Sequence, residues 1–237
     1  MPAAKIDAVV FDLGGVLLDW DPRYLYREIF ADPAEMETFL GTICTQQWHV
    51  AHDLGADITL SCRQLAQQHP GYAGQIMAWA ERTEEMVRGQ FDDTVGLLAE
   101  LKQAGLRCYV LSNMEAPCFE LRLGRFGFLH WFDGHVISGL ERVAKPDRRI
   151  FRILLARYGL TAERTIFIDD SEANISAARQ LGIIAIRFSS AGQLRRDLRL
   201  AGLDWPDRVG QGGSSLLGRT KPAASMAEAE PPHRGHH

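Results

Sequence analysis

The apolar positions of this chain fall into two rhythms. At residues 8–11 a run without alternation, AVVF, stops at Asp12 and turns at once through Gly14 and Gly15. Such a run predicts a strand buried on both faces, as in a parallel sheet covered by helices. The pattern returns at 107–111, ending in Ser112 and Asn113, at 165–168, ending in Asp169 and Asp170, and at 183–186, with a shorter strand expected at 135–137. Between these runs the spacing is helical. Asp93 and Thr94 are expected to cap a helix carrying Val95, Leu97, Leu98 and Leu101, and another helix is expected over 116–126. Pro146 is expected to start a helix that buries Ile150, Phe151, Leu154 and Leu155, Ser171 to cap one running to 181, and a last one to cover 193–200.

The stretch between Trp20 and Gln90 breaks this alternation. Asp21 and Pro22 open a helix to about residue 30, and Asp32, Pro33 and Glu35 read as a capping box. Ser61 and Gln64 read as a second box, and Leu60, Leu65, Ile76, Trp79, Met86 and Val87 supply apolar positions at helical spacing, with turns at Gly55 and at 69–71. No strand is expected there. Strand and helix alternating at βαβ spacing around an all-helical block predict an α/β fold, a doubly wound parallel sheet with an inserted helical domain. The expected limits are 1–20 and 91–206 for the α/β core, 21–90 for the helical insertion and 207–237 for a disordered tail rich in Gly, Ser, Pro, Ala and Glu.

Composition narrows the function classes. At 237 residues, 46% hydrophobic and 24% charged, the chain is an ordinary globular protein, and a net charge of −4 with no basic cluster argues against nucleic acid as a partner. No apolar run approaches the ~18 residues that span a bilayer, and no leader precedes the first strand, so a cytoplasmic protein with no membrane partner is expected. Cys44, Cys62, Cys108 and Cys118 lack metal-type spacing, and Cys108 is expected to be a buried thiol. The sequon at Asn174 is read as coincidental, and the HRGHH terminus as a solvated tail.

Three strand ends carry polar groups, and a parallel sheet points them to one edge. Asp12, Asp169 and Asp170 gathered there repel one another unless a cation sits among them. Oxygen ligands, with a backbone carbonyl from Gly14, suit Mg²⁺ and leave room for phosphate oxygens. Ser112 and the backbone around Asn113 supply donors for an anion, and Lys145 brings a second positive charge.

FDLGGVL at Asp12, LSN ending at Asn113, the Lys145 and Pro146 pair, and FIDDSEAN around Asp169, taken in order, resemble the four motifs of the haloacid dehalogenase superfamily. The position of the helical block resembles the cap that closes over the site in one large branch. The resemblance implies a phosphatase in which Asp12 is the nucleophile, forming an aspartyl phosphate, and Asp12, the Gly14 carbonyl and Asp170 hold Mg²⁺ with Asp169 in or just behind that shell. It implies further that Ser112 and the Asn113 amide bind phosphate, that Lys145 neutralises charge and that Asn174 orients the paired acids. One position departs from the pattern. Most phosphatases of the superfamily carry a second Asp, the general acid and base, where this chain has Gly14; a subgroup resembling sugar-1-phosphate phosphatases also starts DLGxV. In the cap, Trp48, His49, His52 and Asp53 form a polar and aromatic cluster, of which His52 and Asp53 are the candidates for substrate contact, while Asp19 and Asp21 read as turn and capping residues. The expected partner is a small phosphorylated molecule, and the chain a monomer or homodimer. A 2-haloacid dehalogenase with the same nucleophile and a silent phospho-ligand-binding domain are the competing readings; the paired acids favour phosphate.

Overall fold

The structure, a computed structural model, describes residues 5–203. The tail expected from residue 207 lies outside the described residues. In chain order the elements are β1 (Ala8–Phe11), β2 (Leu18–Trp20), α1 (Arg23–Ile29), α2 (Pro33–Thr42), α3 (Gln46–Asp53), α4 (Ile58–Gln68), α5 (Ala73–Glu81), β3 (Val87–Gln90), α6 (Asp92–Gln103), β4 (Arg107–Ser112), α7 (Ala116–Arg125), β5 (Gly134–Ile137), α8 (Ser138–Glu141), α9 (Arg148–Tyr158), β6 (Thr165–Asp169), α10 (Glu172–Arg179), β7 (Ile184–Arg187) and α11 (Ala191–Leu200).

Five strands form one parallel sheet in the order β5-β4-β1-β6-β7. β1 lies at its centre, with Phe11 opposite Val110 on one side and Ile168 on the other. Its side chains alternate between two cores: Val9 and Phe11 join Val110, Ile168, Leu98 and Leu194, whereas Ala8 and Val10 join Leu111, Phe167, Phe151 and Ile175. Both faces are therefore sealed by helices, which is why the strands read as continuous apolar runs.

The helices of the insertion surround a third core of Leu25, Tyr26, Phe30, Met36, Phe39, Ile76 and Trp79. Tyr26 centres it, with its ring 5.1 Å from Phe39 and 5.9 Å from Trp79 and its hydroxyl donating to the Gln75 carbonyl at 3.0 Å. Burying the phenol costs little once its polar tip is bonded in this way.

Several local expectations are corrected. β2 and β3 pair antiparallel at the two ends of the helical block, so Val87 is a strand residue and Met86 closes a 3-10 turn. Segments of three and four residues are too short for a period of two to stand out from helical spacing. Asp57, not Ser61, caps α4 by accepting from the Leu60 N–H at 2.9 Å. Asp32 does cap α2, but Glu35 faces the Tyr72 hydroxyl at 3.3 Å instead of closing a box. α9 begins at Arg148 with Asp147 as its cap, and Pro146 precedes it. α6 starts at Asp92, which places Asp93 and Thr94 inside its first turn. Asp19 lies in β2 and accepts from the Tyr24 hydroxyl, whereas Asp21 accepts from the Arg23 N–H as a capping group does. All four cysteines are free and buried. No helix among the described residues is long and apolar enough to cross a membrane.

Candidate active site

The end of β1 places Asp12 at the floor of a cavity of about 720 Å³. Beyond it the chain folds into a tight turn in which the Leu18 N–H donates to the Leu13 carbonyl at 2.8 Å and the Gly15 N–H to the Leu18 carbonyl at 2.9 Å. The Gly14 carbonyl takes no part in these bonds. Gly15 has φ of +72°, and a Cβ there would overlap the carboxylate of Asp170. Only glycine meets both demands, a left-handed backbone and close approach to an acid.

Lys145 is the centre of the polar network and is 4% exposed. Its ammonium donates to Asp169 Oδ2 at 2.6 Å and to the Leu111 carbonyl at 2.9 Å, and lies 3.0 Å from Asp12 Oδ1. All three of its donors thus have partners. Burial works against its charge, but Asp12 and Asp169 outweigh that and hold its pKa above the ordinary value. The backbone of Lys145 is held as firmly, because Asn113 Nδ2 donates to its carbonyl at 2.9 Å and Asn113 Oδ1 accepts from its N–H at 2.8 Å.

The four acids of the site have different tasks. Asp169 is fully buried and accepts from Lys145, from the Ser171 N–H at 2.8 Å and from Asn174 Nδ2 at 3.0 Å. Its lone pairs are spoken for, and it stands behind the site as an orienting group. Asp12 accepts from Lys145 and the Leu13 N–H through Oδ1 alone. Burial pushes its carboxyl well above the usual carboxylate range, against the pull of Lys145 and with help from Asp169. Asp170 is exposed at the cavity, and partial burial together with Asp169 raises its pKa. Asp53, from α3, lines the same cavity, where burial and then Glu115 push its carboxyl up to about 7.

Carboxylate oxygens of Asp12, Asp169 and Asp170 lie within 4.8 Å of one another. Three acids against one ammonium call for a further cation, and an all-oxygen set fits a hard divalent ion. With Asp169 occupied by its hydrogen bonds, Asp12, Asp170 and the Gly14 carbonyl are the groups that could hold it.

Of the residues singled out in the sequence, Asp12, Gly14, Ser112, Asn113, Lys145, Asp170, Asn174 and Asp53 line one cavity. Asp169 lies beneath that lining and His52 is completely buried behind it. Gly15, which follows Gly14 in the sequence turn, lines the cavity too; the structure adds Glu115 and Arg122, and an aromatic wall in which Trp20 stacks on His49 at 5.6 Å and Trp79 lies tilted to it at 5.3 Å. Glu115 stands two residues beyond Asn113 at the N-cap of α7, a placement visible in the sequence once β4 is assigned. Arg122 has no sequence signal, because its proximity comes from the packing of α7.

Residues 6–182 match the haloacid dehalogenase-like hydrolase family. The chain is 31% identical over 196 residues to a sesquiterpene phosphatase of Aspergillus oryzae, covering 81% of this chain and 94% of the relative. It is 27% identical over 188 residues to a GMP/IMP nucleotidase of Escherichia coli, covering 75% and 80% of the two chains. A solved HAD-family enzyme of Bacteroides thetaiotaomicron, an alanine mutant in complex with magnesium and inorganic phosphate, superposes with a TM-score of 0.61 at 23% identity, over 84% of this chain and 97% of that one. Family match and relatives span the sheet and the helical insertion together, and the strand-end acids fall at the same sheet edge; the chain belongs to the haloacid dehalogenase-like hydrolases.

Proposed function

We propose that this hydrolase is a Mg²⁺-dependent phosphomonoesterase that works through an aspartyl phosphate on Asp12. The observation that carries the reading is the division of labour at Lys145: it occupies Oδ1 of Asp12 and a lone pair of Asp169, while Oδ2 of Asp12 takes no hydrogen bond and Asp170 faces the cavity. One oxygen of the nucleophile is anchored and the other is available for attack on phosphorus. The names of the two relatives, a sesquiterpene phosphatase and a nucleotidase, and the magnesium and phosphate of the structural neighbour support it.

In this proposal Asp12, the Gly14 carbonyl and Asp170 would hold Mg²⁺, which would offset charge on the phosphoryl oxygens. Asp12 Oδ2 attacks phosphorus in line as the ester oxygen departs, and water then releases phosphate from the acyl phosphate. The charge of Lys145 offsets that of Asp12 and the phosphoryl group, Ser112 donates to a phosphoryl oxygen, Asn113 positions Lys145, and Asn174 with the Ser171 N–H keeps Asp169 aimed at it. Gly14 supplies no acid to the leaving oxygen, so substrates that leave without strong protonation are favoured. The cap wall contributes Trp20, Leu40, Val50 and Trp79. The alcohol part of the substrate accordingly has apolar surface, as a prenyl-type ester does or the face of a sugar.

The test is phosphate release from sugar 1-phosphates, nucleoside monophosphates and prenyl monophosphates, with and without Mg²⁺, for wild type and Asp12→Asn. Expected is Mg²⁺-dependent turnover that falls by at least ~10³-fold in Asp12→Asn. Metal-independent halide release from 2-chloropropionate, with no phosphate from any ester, replaces this reading with a dehalogenase. Silence on both replaces it with a phospho-ligand-binding domain.

A further inference from the structure

A second polar cluster lies at the seam between the helical block and the sheet domain, apart from the acids at the end of β1. His49 and His52 project from α3, one turn apart, and Glu115 from the N-cap of α7. Ligand-capable atoms of the three lie within 4.8 Å of one another, and His52 Nδ1 is 3.9 Å from Glu115 Oε1. His52 is 0% exposed, yet neither ring nitrogen has a hydrogen-bond partner; His49 Nδ1 and Glu115 Oε1 are equally unpartnered. A buried imidazole left with both nitrogens unbonded costs free energy that folding does not leave uncompensated. One ring nitrogen of each imidazole and a Glu115 carboxylate oxygen gather within 4.8 Å of one another, and the second His52 nitrogen points away from that group.

The rest of the environment suits a cation bound by nitrogen. Two imidazoles and one carboxylate, all drawn from buried or half-buried side chains, offer nitrogen and oxygen donors together. Glu115 Oε2 accepts from the Cys118 thiol at 2.8 Å, which fixes the carboxylate and leaves Oε1 toward the imidazoles. His49 Nε2 lies 3.7 Å from Asp53 Oδ1, one turn further along α3. The buried Arg122 lies with its Nε 3.6 Å from Glu84 Oε1, and its charge also acts on Glu115, Asp53 and His49, so a bound cation shares the carboxylates of this cluster with it.

We propose that His49, His52 and Glu115 form a second divalent-cation site, of the Zn²⁺ class, that clasps α3 of the cap to α7 of the core. Two ligand atoms ~2.0–2.1 Å from one ion stand at most ~4.2 Å apart, so small side-chain rotations close the cluster. Two imidazoles and one carboxylate select a borderline ion such as Zn²⁺, whereas Asp12, Asp170 and the Gly14 carbonyl select a hard one. His49 and Glu115 line the cavity, so the remaining coordination position opens on the substrate side, and an ion there couples cap closure to metal occupancy.

The test uses the full chain with His233, His236 and His237 replaced by Ala, so that the terminal histidines do not compete, titrated with Co²⁺ in excess Mg²⁺. Expected is one equivalent of Co²⁺ with a visible d–d band, pulsed-EPR coupling to two imidazole nitrogens, and displacement by Zn²⁺. His52→Gln and Glu115→Gln weaken Co²⁺ binding at least tenfold, Asp170→Asn leaves it unchanged, and Zn²⁺ raises the Tm of wild type only. Absence of the two-nitrogen signal in wild type overturns the proposal even where a variant fails to fold, as does undiminished affinity in both folded variants. Because binding is read without turnover, the result is independent of the phosphatase reading.

Discussion

The two buried polar clusters on this cavity are built on opposite terms. At the floor, Lys145 saturates its donors on Asp12, Asp169 and the Leu111 carbonyl, and Asp169 in turn is saturated by Ser171 and Asn174. At the cap seam, both nitrogens of His52 and one oxygen of Glu115 are buried without partners. The closed network is rigid before any ligand arrives, which is what charge stabilisation in phosphoryl transfer demands. The open one leaves two imidazoles and a carboxylate close together with no hydrogen bond among them. A closed network fixes its geometry in advance, whereas an open one is free to take a partner.

The sharpest way to break the comparison is to remove the hub of the closed network. Lys145→Met leaves Asp12 and Asp169 buried without their counter-charge, and a loss of ~3–5 kcal/mol is expected in urea unfolding, together with loss of turnover. Removing a member of the open network goes the other way. His52→Leu, in metal-free protein, replaces an unsatisfied imidazole with an apolar side chain, so stability is expected to stay level or rise by ~1 kcal/mol. A destabilisation of ~3 kcal/mol there would mean that the imidazole has partners after all, and the contrast would collapse.

A paired glycine experiment sharpens the floor of the site with a smaller effect. Gly15→Ala forces a side chain into a left-handed backbone and against Asp170, so ~1–2 kcal/mol of stability should be lost and the Mg²⁺ needed for half-maximal activity should rise at least tenfold. At Gly14 a Cβ meets nothing within 4 Å, and Gly14→Ala is expected to leave stability within ~0.5 kcal/mol of wild type in the same melts.

The elements that announced themselves did so for local reasons. Strands sealed on both faces must be apolar throughout, so β1, β4 and β6 were legible, and the polar residue that ends each run had to lie at the same sheet edge. Asp12, Ser112, Asn113, Asp169 and Asp170 are readable on that ground from the sequence. β2 and β3 were not, since each is defined by its partner across some 70 residues and neither carries enough alternation to show alone. Asp57 displaced Ser61 as the cap of α4 because two competing capping residues lie within one turn of each other, and sequence spacing does not rank them.

By itself, then, the amino-acid order determined the alternation of strand and helix, the insertion of a helical block after the first strand, and the acids and lysine of the site, because each is written in contiguous residues. Tertiary structure decided what each of those groups does. It sent Asp169 inward to hold Lys145 and turned Asp170 to the cavity, although the two are neighbours in sequence and identical in chemistry. It also buried His52 against Glu115, 63 positions away, a contact that exists only because the cap folds back over the edge of the sheet. Burial and hydrogen-bond satisfaction are properties of the packed whole, and no local pattern encodes them.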